Sequence, residues 1–337
     1  MQHFEFWHPR VFEAPYYAHL LSRCALKGIS PRTIPKANWA LPDGELGLGT
    51  KYQTQMAFEQ SRFPATALAK LPQDCAQVHA FAQNHGFPFI LKPLLGTVGK
   101  GVLKASSPTD LEQLLAGLCG DYLLQSFCSH STEFGVFYIR KAGIQRITGI
   151  NQKHFPTVIG NGRDDLQTLA TAHPRFTHHW SMFLRYLDTS YVPAEGESYR
   201  LSFIGSHTMG CKFTDDTALS TPALERAVFS ICDSQPGFNF GRFDVKAESL
   251  AAFQDGQFTV MEVNGISSLP THMFDPDNTL RRAYQIFLEH GRHLVDIAYE
   301  NRNKEMHVDG YGELWQRAKQ GYADLNVMQE TAKGVSV

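Results

Sequence analysis

FGRFDVKAESLAAFQDGQFTVMEVNGISSLPTHMFDP, residues 240–276, contains two short runs, Phe240–Lys246 and Phe258–Asn264. Their aromatic and β-branched content and the turn-rich segment between them predict adjacent strands. Side chains two apart on a strand share a face, so Arg242 stands beside Asp244 and Glu262 beside Asn264. Antiparallel pairing with Asp244 opposite Glu262 sets Arg242 opposite Asn264. One face then carries two carboxylates, an amide oxygen and a guanidinium. Phe243, Val245, Met261 and Val263 point the other way into apolar packing.

Clustered carboxylates repel and are costly to desolvate unless a cation or donor lies between them. Two carboxylates with an amide oxygen are the hard oxygen ligands that Mg²⁺ takes, with positions left for water and phosphates. A neighbouring arginine, permanently charged and forked, suits a transferring anion. The plainer alternative is a hairpin whose polar face is simply solvated.

The chain has 337 residues, 43% hydrophobic and 19% charged, as expected of one large or two to three smaller globular domains. A formal net charge of -2, with no basic block, argues against nucleic acid or an anionic membrane as partner. Cys24, Cys75, Cys119, Cys128, Cys211 and Cys232 are scattered and read as reduced thiols of a cytoplasmic protein. Neither a signal-peptide core nor a bilayer-spanning apolar run is evident.

Along the chain, Ala14–Lys27 predicts a helix, Ile29–Gly49 loop and short strand, and Lys51–Arg62 a helix with an extended exit at 63–66. Gln73–His85 predicts a helix ended by Gly86, and Phe87–Pro93 a strand that delivers Lys92. The glycine turn Gly96, Gly99, Gly101 leads into the strand Val102–Ala105, with a helix from Ser107 to about Leu118. Strands follow at Tyr122–Phe127, Glu133–Arg140 and Gln145–Gln152, the last two turning at Gly143. Asp164 and Asp165 cap a helix to Ala172, and Pro174–Leu187 reads as another. Tyr199–Ile204 and Cys211–Thr214 read as strands flanking a Gly-Ser-His turn that contains His207. Thr221–Asp233, Asp277–Asn303 and Glu313–Gln329 read as helices. His178, His179, His290 and His293 lack partners for a metal site and read as surface or helix-flank residues.

The glycine turn lies between two strands, whereas the two familiar nucleotide loops open a helix. A strand–glycine–strand hairpin can close its backbone N–H groups over phosphates, with Lys92 adding a point charge. A tight turn needing only positive φ is the alternative.

In this order, FPFILKPLLGTVGKGV, YLLQSFCSHSTEFGVF, GRFDV and MEVNG resemble the ATP-grasp superfamily, from about Lys51 to Pro276. They look closest to its D-alanine–D-alanine ligase-like and carboxylate–amine ligase group. KHFPTVIGNGRDDLQTLATAHPR is similar to the corresponding segment of cyanophycin-synthetase-like members. The resemblance implies an α+β fold with two α+β subdomains gripping nucleotide, and a reduced N-terminal lobe. It implies boundaries at 1–50 for that lobe, 51–128 and 129–303 for the subdomains, and 304–337 for a helical tail.

By the same resemblance Asp244, Glu262 and Asn264 match ligands of two Mg²⁺ ions, with Mn²⁺ as a substitute, and Arg242 the arginine that steadies the phosphoryl group. Lys51, in a Gly-Thr-Lys helix start, and Lys92 match ATP-phosphate lysines; Gly96, Gly99 and Gly101 match the phosphate loop. Gln125 and Phe127 fall in the adenine hinge, where many relatives carry an acidic residue; Glu133 matches the ribose ligand. Lys153 and Lys212 are candidate γ-phosphate or substrate contacts, and His207 a candidate pocket residue. The implied activity is ATP-dependent joining of a small-molecule or peptide carboxylate to an amine. Such ligases are often homodimers. A kinase using the same site and a non-catalytic nucleotide-binding module are the rivals.

Overall fold

The protein is described by a computed structural model, for residues 4–46, 51–94, 101–177, 187–202, 205, 207, 210–310, 312–313, 315–317 and 319. In chain order the elements are α1 (Pro9–Leu26), α2 (Lys51–Met56), β1 (Thr66–Leu71), α3 (Cys75–His85), β2 (Phe89–Pro93), β3 (Leu103–Ala105), α4 (Pro108–Leu115), β4 (Gly120–Ser126), β5 (Thr132–Lys141) and β6 (Ile144–His154). They continue with β7 (Thr157–Ile159), α5 (Leu166–Ala172), β8 (Ser198–Arg200), β9 (Lys212–Asp215), α6 (Pro222–Asp233), β10 (Phe240–Ala247), α7 (Leu250–Gln254), β11 (Thr259–Asn264) and α8 (Leu280–Glu300).

Two antiparallel sheets dominate. The smaller has the order β1-β4-β2-β3, and the larger β11-β10-β5-β6-β9; β7 and β8 pair apart from both. The small sheet packs α3 and α4 over one face, burying Val78, Phe81, Phe89, Leu91, Leu114 and Leu124 in a core of its own. The large sheet is covered differently on its two faces. Phe134, Val136, Phe243, Val245 and Val260 meet α6 and α7 on one side, through Leu224, Val228, Ile231 and Phe253. The other side is covered at one end by α8 and α1, where Phe240 and Ile139 join Phe12, Tyr16, Phe287 and Leu294. The polar remainder of that second face is the one on which Arg242 and Asp244 lie.

Local chemistry explains where several helices start. Ser107, Asp165, Thr221, Ser249 and Thr279 each cap a helix by accepting a backbone N–H. Proline occupies the opening turn of α4 and α6, where its missing N–H has no intrahelical partner to lose.

The structure corrects several expectations. The first helix begins at Pro9, five residues before Ala14, and is capped by His8. Instead of a loop with a short strand, the described part of 29–49 forms 3₁₀ turns at Pro31–Asn38 and Pro42–Gly44. The Lys51–Arg62 helix stops at Met56 and a separate 3₁₀ turn follows at Gln60–Arg62. The Tyr199–Ile204 strand shrinks to β8, whose partner is β7, while β9 joins β6 at the edge of the large sheet. His290 is buried, its Nε2 2.8 Å from the Ser268 carbonyl. The helices read at Pro174–Leu187 and Glu313–Gln329 lie largely outside the described residues, as do His178 and His179. No helix among the described residues is long and apolar enough to cross a membrane.

Candidate active site

β10 and β11 pair as their two-residue periodicity predicts: Asp244 faces Glu262, and Arg242 faces Asn264. A bulge after Asp244 then shifts the register so that Val245 faces Val260. The bulge alters one expectation. Val260 enters the core in place of Met261, which is only half-buried and offers its carbonyl to Gln125 Nε2 at 3.5 Å.

The next strand supplies the floor. Gly135 on β5 faces Asp244, and a Cβ there would run into the Asn151 amide and the Arg242 stem. Glycine thus lets Arg242 lie flat, its guanidinium 5.8 Å from the Phe137 ring centre. Arg242 grips Asp244 with two hydrogen bonds, Nε to Oδ1 at 2.7 Å and Nη2 to Oδ2 at 3.0 Å. Lys153 on β6 faces Glu133 on β5 and donates to its Oε1 at 2.6 Å, with Asp244 Oδ2 3.4 Å away. Lys51 Nζ, at the start of α2, is 2.6 Å from Glu262 Oε1. Gly135 makes close approach possible, and the cations relieve carboxylate repulsion.

Charge and burial act against each other here. Burial opposes a charge on Lys51, yet Glu262, Glu45 and Asp244 outweigh it and raise its pKa. The same balance operates at Lys153, where Asp244 and Glu133 overcome burial. Glu262 is held well below the usual carboxylate range: burial would raise it, but Lys51 and Lys92 prevail. Lys92 differs. It leaves the face of β2 turned away from the small core, and burial lowers its pKa to about 8 despite the charge of Glu262.

The structure thus gathers Lys51, Lys92, Glu133, Lys153, Arg242, Asp244, Glu262 and Asn264 around one space between the sheets. Gln125 is buried beside β11, and Phe127 lies under the ammonium groups of Lys104 and Lys246, 4.6 Å and 5.9 Å from its ring centre. Gly101 is described; Gly96 and Gly99 lie outside the described residues. Lys212 does not join the group. It faces His154 across the β6–β9 pair, one residue out of phase with Lys153, so strand alternation sends it to the opposite face. His207 stacks on Phe274 with ring centres 4.3 Å apart.

Asn151 was not singled out from the sequence. It precedes Lys153 by two residues on the same strand face, and that period-two relation was its available signal. Its Oδ1 accepts from Thr271 at 2.7 Å, and its buried Nδ2, like that of Asn264, has no hydrogen-bond partner among the described residues.

Among the described residues no three His, Cys, Asp or Glu side chains converge as an all-protein metal cage. Asp244, Glu262 and the Asn264 amide instead make an oxygen set of low ligand count on neighbouring strands. That suits Mg²⁺, which keeps waters and phosphate oxygens in its shell.

The RimK-like ATP-grasp domain family matches residues 52–149. Over that stretch, under a third of the chain, the sequence is similar to the ATP-grasp domain, and the chain as described is α+β with paired antiparallel sheets. Among solved structures, the bifunctional glutathione synthetase of Pasteurella multocida is similar at 14% identity and TM-score 0.39, over 70% of this chain and 35% of that one. The D-alanine–D-alanine ligase of Bacillus anthracis complexed with ATP is similar at 14% identity and TM-score 0.38, over 77% and 62%. The carboxyaminoimidazole ribonucleotide synthase of Aspergillus clavatus complexed with ATP is similar at 12% identity and TM-score 0.38, over 64% and 44%. The chain thus spans less than two thirds of the length of each of these proteins. No curated protein sequence matches it.

Proposed function

We propose that the protein is an ATP-dependent ligase that joins a carboxylate to an amine through an acylphosphate, releasing ADP and phosphate. The observation that carries this reading is the facing of Asp244 with Glu262 and of Arg242 with Asn264, within reach of Lys51 and Lys153. The two sheets act as the gripping subdomains, at 51–128 and 129–303, with 1–50 as an N-terminal lobe and 304–337 as a tail. Lys51 and Lys92 bind ATP phosphates, a role that Gly96, Gly99 and Gly101 share by resemblance to the family's phosphate loop. Gln125 and Phe127 border the adenine, and Glu133 accepts the ribose hydroxyls.

Asp244, Glu262 and Asn264 would hold Mg²⁺, which when bound would neutralise charge on the phosphates. The reaction needs no protein nucleophile. The substrate carboxylate attacks the γ-phosphorus and ADP leaves; the amine then attacks the acyl carbon and phosphate leaves. Arg242 and Lys153 align and stabilise the oxygens on which charge develops, and a closed site keeps water from the acylphosphate.

The test is a screen for ADP and phosphate release over small acids and amines, singly and in pairs, with mass spectrometry of the products. Phosphate release that requires both an acid and an amine is the expected result. A stable phosphorylated product from a single substrate would mean a kinase instead. Nucleotide binding without turnover across the screen would leave a binding module, and no thermal shift with Mg-ATP would exclude a nucleotide site altogether.

A further inference from the structure

We propose that Glu45 is a positioning residue for Lys51, so that the N-terminal segment completes the nucleotide site. The inference rests on the functional reading above and adds a role for a segment that carries no motif.

Asp43, Gly44 and Glu45 stand in succession in the left-handed region, with φ of 48°, 65° and 60°. For the two residues with side chains this conformation costs of order 1 kcal/mol or more each, and it persists only where the surroundings enforce it. The enforcement is visible. The Gly44 carbonyl accepts from Asn38 Nδ2 at 3.0 Å and from the Ile266 backbone at 3.2 Å. Gly265, directly after Asn264, lies so close that a Cβ would strike that same carbonyl. Asp43 is held by Arg317 at 2.6 Å. The turn is therefore fastened to the end of the strand that carries Glu262 and Asn264.

It delivers a buried carboxylate. Glu45 is 2% exposed and accepts the hydroxyl of Thr54. Thr54 follows Lys51 by three residues on α2, a spacing that places both on one side of the helix. Lys51 is also 2.6 Å from Glu262. Glu262 belongs to the proposed metal-ligand set, so its hold on Lys51 is shared with that role. Glu45 lies outside that set and holds the same helix turn through the Thr54 hydroxyl, one turn on from Lys51. A carboxylate that keeps a phosphate-binding lysine in place is the arrangement protein kinases also depend on.

The test is a double-mutant cycle on Mg-ATP affinity, measured by calorimetry on the full chain: wild type, Glu45→Gln, Lys51→Met and the pair. Glu45→Gln keeps the size and a hydrogen-bond acceptor for Thr54 but removes the charge. It should weaken Mg-ATP binding by about tenfold in the wild-type background and have no further effect once Lys51 is gone. Thr54→Val, which removes only the hydroxyl that Glu45 accepts, should give a smaller loss with the same dependence on Lys51. An unchanged or tighter affinity for Glu45→Gln overturns the inference. So does an equal loss in the Lys51→Met background, which would mark a merely structural residue. If wild type itself gives no binding heat with Mg-ATP, the functional reading fails and the positioning role with it.

Discussion

Lys51, Lys153 and Arg242 each hold a carboxylate, whereas Lys92 has none within ion-pairing distance among the described residues. Its pKa of about 8 lies below the ordinary lysine value, so in the free protein it loses its proton as pH rises through that point. A bound triphosphate restores the proton. Mg-ATP affinity should therefore fall above pH 8, approaching about tenfold per pH unit for one linked proton, and calorimetry in buffers of different ionisation enthalpy should detect proton uptake. Lys92→Met should flatten that slope. At Asp244 the expected outcome is different. Asp244→Asn should lower ADP formation about a hundredfold or more while leaving the unfolding midpoint within a few degrees, because Lys153 keeps Glu133. Arg242→Ala should reduce turnover more than nucleotide affinity, which initial rates and binding isotherms separate.

At the scale of elements, the Asn38 side chain ties the N-terminal segment to β10. Asn38, fully buried, donates to the Gly44 and Phe240 carbonyls at 3.0 Å and 2.8 Å. Its Oδ1 accepts the Asn239 and Phe240 backbone N–H groups at 2.9 Å and 3.0 Å. Asn38→Ala leaves these groups unpaired and should destabilise the protein by roughly 3 kcal/mol, read from urea denaturation. The elements also show what a sequence can and cannot convey. The facing of Arg242 with Asn264 was legible because strand periodicity is strict over two or three residues. The bulge that exchanges Met261 for Val260 was not, since one inserted residue leaves a run of apolar side chains looking the same. β1, with sequence TALAKL, lacks β-branched residues after Thr66; its pairing with β4 overrides a helix-favouring composition. Lys212 lies one residue out of phase with Lys153, a difference invisible in the sequence until the edge strand has a partner.

Over the whole molecule, two buried histidines link the packing to pH. His290 lies between Phe137 and Phe240, with its pKa lowered by burial to about 3; burial likewise lowers His272 to about 4. Both stay neutral in the fold but take up protons near pH 6.5 once unfolded. Stability should therefore be retained above that pH and fall as pH drops from 6.5 toward 4, by roughly 1.4 kcal/mol per unit for each histidine. His290→Gln retains an N–H donor for Ser268 and should make the decline shallower, as urea midpoints measured across that range would record.

The small sheet has a hydrophobic core separate from those of the large one. A polar link, Gln125 Nε2 to the Met261 carbonyl at 3.5 Å, joins the two sides. Grease resists sliding; such a link does not. The halves should consequently melt as separable blocks in a calorimetric scan, the smaller at the lower temperature, and saturating Mg-ATP should fuse the two endotherms into one. The nucleotide would then serve as mortar as well as fuel.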